Sequence, residues 1–386
     1  MGQISVEMCR STPHFTREPF YARQYGSQPS TGAGSSPLNF ETRFPQIDNI
    51  KGIAIVCVLL LHTVPLAFLI ESYSTLFIWQ AVPIFLIAIG LTWYYSFRKS
   101  DSSTLGELYS GRYIMRRLSR FLTPLLLVFA IDLTVTIATN SFGPSMVSTI
   151  AMVMVGIMPT YLPGNYFVSL ILQLIFIAPL LYYFFTRSPG LALIATFAID
   201  LGFELSGPYI PYSVYSICIL RYLAALGLGF YIAPELLSKG KLDLMDRRFV
   251  FIVPLAAMSA IFLVLYNSSS FPLFRAEWGT QNLLSFFYPM LLVVLLFRFH
   301  LYVSRIDRRH LLELLGRASY HIYLVQMLYF GFVVSSLFTV VNAMPPFVAW
   351  LIVIIARLGV NIILGIFSYK VEGRVREKLI KTGHGT

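Results

Sequence analysis

Residues 50–70 read IKGIAIVCVLLLHTVPLAFLI, and only Lys51, Cys57 and His62 in this stretch can ionise. A helix needs about 20 mainly apolar residues to cross the hydrocarbon core of a bilayer. Further runs of similar length and composition cover residues 75–95, 120–139, 166–186, 190–206, 215–235, 249–267, 281–299, 318–341 and 347–369. We therefore predict an all-α, polytopic integral membrane protein with about ten transmembrane helices.

The composition excludes a soluble globular protein. Of the 386 residues, 56% are hydrophobic and 12% are charged, whereas a soluble domain carries about 25% charged residues. A soluble fold of this length could not bury so much apolar surface. The formal charge of +11 is not one basic patch, because Lys and Arg fall mainly in short loops between the apolar runs. That is the positive-inside pattern of a membrane protein, and it indicates no nucleic-acid partner.

A shorter apolar run, residues 148–162, decides the predicted topology. If it is re-entrant or interfacial, all but three of the 29 Lys and Arg residues lie on the cytoplasmic side. If it spans the bilayer, the charged loops 236–248 and 300–317 face outward, against the positive-inside rule. We therefore predict ten spans, one short re-entrant or interfacial segment, and both termini in the cytoplasm.

The polar ends of the chain set the predicted domain boundaries. Residues 1–45 are rich in Ser, Gly, Pro and Arg, a composition that predicts a disordered cytoplasmic tail. We expect the transmembrane domain to cover residues 46–370, followed by a cytoplasmic C-terminal tail, residues 371–386.

Two ionisable residues of the first span carry the clearest functional signal. His62 follows Lys51 by eleven residues, so a continuous helix places it roughly 16 Å deeper and, after three turns plus about 20°, on the same face. An ionised side chain at the bilayer centre costs at least about 2.5 kcal/mol on insertion scales. This cost favours a general base or proton relay at His62, with Lys51 at the cytoplasmic mouth, over a histidine that only bonds a neighbouring helix.

The third span begins with a group of arginines, followed by Pro124. The group consists of Arg112, Arg116, Arg117 and Arg120. Arg116 and Arg120 are one helical turn apart and share a face. The cluster fits two interpretations equally: topogenic charge that keeps this loop inside, or guanidinium forks that bind the phosphates of a cytoplasmic ligand.

Five more charged residues are predicted to lie within the membrane. They are Asp132, Asp200, Glu204, Arg221 and Arg357. Asp200 and Glu204 are one turn apart, and Arg221 lies at a similar depth in the next span. We favour structural ion pairs, with Asp132 and Arg357 as a second pair, over a direct role in a reaction on the acceptor side.

Motifs of other enzyme classes are missing from the sequence. It has no Walker loop, GxSxG or HExxH motif. Its three cysteines form no CxxC pair, and its six histidines lack metal-ligand spacing. We expect no metal ion and no permanently bound cofactor.

Five short motifs, in order, resemble those of the membrane-bound acyltransferase family 3. The opening motif is Asp48-Asn-Ile-Lys51-Gly52-Ile-Ala54 with His62. It is similar to the family pattern Asp-x-x-Arg-Gly-x-Ala, in which ten residues separate the Arg from a later histidine. The others are Val82-Pro83-Ile84-Phe85 through Gly90, Arg116-Arg117-x-x-Arg120-x-x-x-Pro124, Tyr166-Phe167 through Gln173 and Pro179, and Leu315-Gly316-x-x-Ser319-Tyr320-x-Ile322-Tyr323-Leu324. Four positions depart from the family pattern: Lys51 replaces the usual Arg, Ile89 a Ser, Ile171 or Leu172 a Glu, and Gln326 a His.

The resemblance implies an O-acyltransferase of a bacterial inner membrane. Such a protein moves an acyl group, usually acetyl, from cytoplasmic acetyl-CoA as co-substrate to a hydroxyl of a glycan or lipid-linked glycan. We then expect His62 and Lys51 to be catalytic and Arg116, Arg117 and Arg120 to bind the donor. One alternative is a transporter or flippase for a lipid-linked glycan or small metabolite. Another is the membrane-bound O-acyltransferase fold, whose reactive histidine lies in the second half of the chain, where this sequence offers only His321 near a membrane edge.

Overall fold

The computed structural model describes residues 44–100, 104–138, 166–266, 281–299, 307, 310–332 and 346–383. All regular structure in these ranges is helical, which confirms the predicted all-α class. The proposed N-terminal tail, except residues 44 and 45, and the short apolar run 148–162 lie outside the described residues.

Each of the ten predicted spans overlaps one helix of twelve or more residues in the described part of the chain. These helices are α1 (Pro45–Thr63), α2 (Ala81–Lys99), α3 (Gly111–Ala138), α4 (Tyr166–Arg187), α5 (Pro189–Ser206), α6 (Leu223–Lys239), α7 (Ile252–Tyr266), α8 (Phe287–Arg298), α9 (Leu311–Phe332) and α10 (Pro346–Gly383). By length and composition, six stretches in the described residues can cross a bilayer. Five of them contain α1, α2, α4, α5 and α6, and the sixth, Leu351–Val375, lies within α10. The chain is thus a multi-pass membrane protein, and the count of ten spans stays a prediction.

Proline shifts the first helix relative to the predicted run 50–70. α1 begins with Pro45 in its first turn and ends at Thr63, where Val64 turns extended. Val64 precedes Pro65, and a residue before proline is pushed out of the helical region. A separate short helix, Leu66–Glu71, follows. His62 therefore lies in the last turn of α1 and not near the middle of a longer helix.

Other helix ends also differ from the predicted runs. The run 215–235 is interrupted at Cys218, whose extended backbone separates Tyr212–Ile217 from the short 3₁₀ turn that leads into α6. α10 has 38 residues and continues to Gly383, past residue 370, where we placed the end of the transmembrane domain.

α1 and α9 cross at two glycines, Gly52 and Gly316. A Cβ at Gly52 would lie 3.2 Å from the Cα of Leu312 and closer still to its carbonyl oxygen. A Cβ at Gly316 would lie 3.0 Å from the Cα of Asp48, and again closer to the carbonyl oxygen. Small residues permit such close backbone approach between membrane helices. This crossing fixes the end of α1 that carries Lys51.

α2 and α6 form the centre of the helix bundle. The stretches that contain them are the most buried of the six membrane candidates, whereas those with α5 and α10 are the least buried. Gly90 of α2 and Gly229 of α6 face each other, and a Cβ on either would lie 3.1 Å from the Cα of the other. α2 is therefore held rigidly between its neighbours.

The loop between α6 and α7 is ordered by charged side chains. Arg248 donates to Asp246 through its backbone nitrogen (2.9 Å) and through its guanidinium (3.1 Å). These hydrogen bonds lower the pKa of the Asp246 carboxyl. Arg248 also lies 3.7 Å from Glu235, so the loop is tied to the end of α6.

Candidate functional site

Lys51 of α1 is held by a hydroxyl of α2. Its Nζ donates to Thr92 Oγ1 at 2.8 Å, and the Thr92 hydroxyl donates to the carbonyl oxygen of Ala88 at 2.7 Å. Lys51 lies in the second turn of α1, and Thr92 lies seven residues before the end of α2. The ammonium group is thus positioned between the two helices, about 10 Å inside their nearer ends.

His62 and Lys51 lie on the same helix, as the spacing predicted. α1 is continuous from Pro45 to Thr63, so the eleven-residue separation corresponds to a rise of about 16 Å on one face. His62 is half-buried in the last turn. The imidazole and the ammonium are therefore about 16 Å apart along one helix face and cannot act on the same atom.

A basic cavity of about 460 Å³ opens beside the C-terminal end of α2. Its lining comes from α2, the short helix Leu105–Leu108 and the start of α3. The lining residues are Ser96, Phe97, Ser100, Glu107, Leu108, Ser110, Arg112, Tyr113, Arg116, Arg117 and Arg120. Arg112, Arg116 and Arg120 are spaced four apart along one face of α3, and all three side chains are exposed. The cavity thus combines exposed guanidinium groups with hydroxyl groups.

Arg117 differs from the other arginines of the cavity. Its guanidinium donates to Ser96 Oγ and lies 4.6 Å from the ring centre of Trp93 and 5.9 Å from that of Tyr113. Cation–π contacts of this kind stabilise a partly buried guanidinium. Arg117 therefore connects α3 to α2 and lines the cavity, whereas the side chains of Arg116 and Arg120 are exposed and accessible to a ligand.

Tyr113 attaches the cavity to α4 at a helix defect. Pro179 has no N–H, so the carbonyl oxygen of Ile175, four residues earlier, lacks its helical donor. The Tyr113 hydroxyl donates to that oxygen at 3.1 Å. Tyr109 donates similarly to the next carbonyl, that of Phe176, at 2.5 Å. Two tyrosines that lie outside both motifs thus link the arginine motif of α3 to the α4 motif that includes Pro179.

Asp200, Glu204 and Arg221 are brought together with Tyr215 in a buried cluster. Each of the four side chains is no more than 1% exposed. Tyr215 donates to Glu204 at 2.6 Å, the backbone nitrogen of Ala224 donates to Asp200 at 3.0 Å, and Arg221 is attracted electrostatically by Glu204.

Aromatic rings complete the surroundings of Arg221. Its guanidinium lies 4.7 Å from the ring centre of Tyr215 and 4.6 Å from that of Tyr222, and it donates to the carbonyl oxygen of Gln281 at 3.2 Å. The structure thus brings these side chains together, and the structural ion pairs that we favoured stay a prediction. A contribution to acceptor binding stays a prediction.

Asp132 and Arg357 are both buried, at 1% and 4% exposure. The pairing of Asp132 with Arg357 stays a prediction.

Two further polar connections lie in motif regions, and sequence reasoning missed them. Gln173 of α4 donates to the carbonyl oxygen of Ile217 at 2.6 Å and accepts from the nitrogen of Ile219 at 3.0 Å. It therefore bridges the two helical segments that are separated by the extended residue Cys218. His321 of α9 lies 2.5 Å from Glu372 of α10. Only the tertiary fold reveals these contacts, because the partners are distant in sequence.

A comparison with known families identifies the chain. A family model described as an acyltransferase domain, that of acyltransferase family 3, matches residues 44–366. No curated protein and no solved structure gives a significant match. The matched region contains α1 to α9 and the first half of α10, and with them Lys51, His62 and the basic cavity. This match covers most of the chain and agrees with the five motifs in their order, so the protein belongs to acyltransferase family 3.

Proposed function

We propose that the protein transfers an acetyl group from cytoplasmic acetyl-CoA to a hydroxyl of a glycan, free or lipid-linked, at the bacterial inner membrane. The basic cavity is the observation that carries the donor half of this proposal. Its exposed arginines and serine hydroxyls suit the diphosphate and 3′-phosphate of CoA, because guanidinium–phosphate pairs form strong bidentate hydrogen bonds. The glycan acceptor rests on the family resemblance.

α2 connects the cavity to Lys51. The consecutive residues Thr92 and Trp93 contact Lys51 and Arg117, respectively. A donor whose phosphates bind Arg116 and Arg120 would therefore lie at the same turn of α2 as Lys51, about 100° away around the helix. The extended arm of CoA would then carry the thioester along α1 toward His62, about 16 Å from Lys51. We place Lys51 with the donor and His62 with the reacting atoms.

In the proposed reaction, the His62 side chain carries out the proton transfer. His62, as a neutral imidazole, accepts the proton of the acceptor hydroxyl while the hydroxyl oxygen attacks the thioester carbonyl. The C–O bond forms, the C–S bond breaks, and the departing CoA thiolate takes the proton from the imidazolium. In a two-step variant, His62 itself carries the acyl group before the hydroxyl attacks.

The transporter alternative receives less support. It rested on intramembrane charges, but Asp200, Glu204 and Arg221 are bonded to the backbone of Ala224, the Tyr215 hydroxyl and the backbone of Gln281, respectively. A structural role accounts for them without a transport path.

The first test of the proposal is acetyl transfer by membranes that contain wild-type or His62→Ala protein. Transfer of radiolabel from acetyl-CoA to envelope glycans should be abolished by His62→Ala, while acetyl-CoA binding to the purified protein is retained. Wild-type transfer by a properly inserted His62→Ala protein would remove the mechanism.

The second test addresses the donor site. Arg116→Ala and Arg120→Ala should each weaken acetyl-CoA binding about 10- to 150-fold, since a charged hydrogen bond contributes roughly 1.5–3 kcal/mol. Arg187→Ala is a matched control, because Arg187 is exposed, stacks on Tyr183 and does not line the cavity. Equal affinity in all four proteins would exclude the cavity as the donor site.

A further inference from the structure

The second half of α10 has an exposed face that changes from apolar to basic. Ile363 and Phe367 are 67% and 65% exposed, and the side chains of Lys370 and Arg374 are exposed as well. At about 100° per residue, these four positions lie within about 60° of one another around the helix. An exposed apolar stripe therefore leads directly into two exposed cations.

The opposite face of α10 packs against α9. Gly365 lies on it, and a Cβ there would lie 2.5 Å from the Cα of Ile322. Glu372 is about 200° from Lys370 around the helix, and its carboxylate lies 2.5 Å from Nε2 of His321. This acidic side chain is thus directed at α9, on the side of the helix that faces away from the exposed cations.

The two cations lie where the apolar span of α10 ends. The stretch that can cross a bilayer runs from Leu351 to Val375 and is the least buried of the six candidates, while the helix continues to Gly383. Lys370 and Arg374 are in the last two turns of this stretch. Long basic side chains at such a position extend to the membrane interface, so we expect both at the depth of the lipid headgroups.

This face fits a lipid of net negative charge. Its apolar part can contact acyl chains, and the ammonium and the guanidinium, one helical turn or about 6 Å apart, can donate charged hydrogen bonds to phosphate oxygens. A zwitterionic lipid has its own cation beside the phosphate, whereas an anionic lipid does not. Basic residues at the end of a membrane span therefore favour anionic headgroups.

We propose that Ile363, Phe367, Lys370 and Arg374 form a binding surface for an anionic phospholipid in the leaflet that the C-terminal end of α10 reaches. In the predicted topology this is the cytoplasmic leaflet. The contact of Glu372 with His321 keeps a carboxylate off the surface. The inference does not depend on the proposed acyl transfer.

The experiment titrates phosphatidylglycerol into the purified full-length protein in non-ionic detergent. A lipid that binds the folded protein raises the apparent Tm, and the concentration dependence gives an apparent Kd. Lys370→Gln and Arg374→Gln should each weaken binding about fivefold, whereas Lys370→Arg should bind like the wild type. Phosphatidylcholine with the same acyl chains should bind more weakly than phosphatidylglycerol to the wild type and equally to all variants.

Two further variants separate the surface from net charge. Arg247→Gln removes an exposed cation from the loop between α6 and α7 and should not change the Kd for phosphatidylglycerol. Glu372→Gln raises the charge of α10 by as much as Lys370→Gln lowers it, and it should not tighten binding, because Glu372 faces α9. If Glu372→Gln tightens binding fully, or if Arg247→Gln weakens it like Lys370→Gln, binding follows net charge and the proposal is wrong. It is equally wrong if neither Lys370→Gln nor Arg374→Gln has an effect, or if inorganic phosphate stabilises the protein as phosphatidylglycerol does.

Discussion

The crossing of α1 and α9 gives the sharpest stability prediction. Gly316→Ala adds a Cβ that would lie 3.0 Å from the Cα of Asp48 and closer to its carbonyl oxygen. Overpacking costs about 1–3 kcal/mol, and backbone atoms have no alternative rotamer, so we expect about 3 kcal/mol. Alanine regains about 1 kcal/mol through its helix propensity. The net loss should be about 2 kcal/mol, seen as a drop of several °C in apparent Tm of the detergent-solubilised protein.

Gly359→Ala in α10 separates the packing effect from helix propensity. A Cβ at Gly359 meets nothing within 4 Å, so this variant should gain up to about 1 kcal/mol from helix propensity alone. The predicted difference between the two variants is thus about 3 kcal/mol at identical chemistry. If Gly316→Ala is as stable as Gly359→Ala, the close crossing is wrong.

Further predictions concern topology and the buried polar contacts. Reporters fused after residues 240 and 310 should both read cytoplasmic, and an external signal from either would mean that residues 148–162 span the bilayer. Gln173→Leu leaves two backbone groups at the Cys218 break without their side-chain partner and should cost about 2 kcal/mol or more; an unchanged apparent Tm would contradict that bridging role. Tyr215→Phe removes the hydroxyl that donates to Glu204 and should lower apparent Tm without altering acetyl-CoA affinity, whereas reduced affinity would assign the cluster to the substrate path.

Hydropathy predicted the helices because membrane insertion depends on local composition. Each predicted run overlaps one of α1–α10 in the described residues. The boundaries were wrong where the backbone breaks within an apolar stretch. Pro65 ends α1 after Thr63, although residues 66–70 are as apolar as those before it. An average over composition does not register such a break, whereas the rule for residues before proline does.

The site was predictable only in the parts that lie within one helix. Lys51 and His62, and likewise Arg116 and Arg120, could be placed on common faces from helical spacing. Their partners could not, because Thr92 is 41 residues from Lys51, and Ser96 is 21 residues from Arg117. Such contacts depend on which helices pack together. The sequence also could not show that the Arg117 side chain contacts Ser96 and Trp93. Arg116 and Arg120, by contrast, are exposed.

The contact with Thr92 offers a physical account of the lysine at a motif position where the family usually has arginine. A guanidinium is planar and presents its donors in a fixed fork, so much of its orientation is built into the side chain. An ammonium is a compact charge on a flexible stem, and its direction must come from outside. Thr92 of the neighbouring helix α2 accepts a hydrogen bond from the Lys51 ammonium at 2.8 Å, and this bond restricts the direction of the ammonium. In this chain, the positive charge is on α1, and one hydrogen bond that orients it comes from α2.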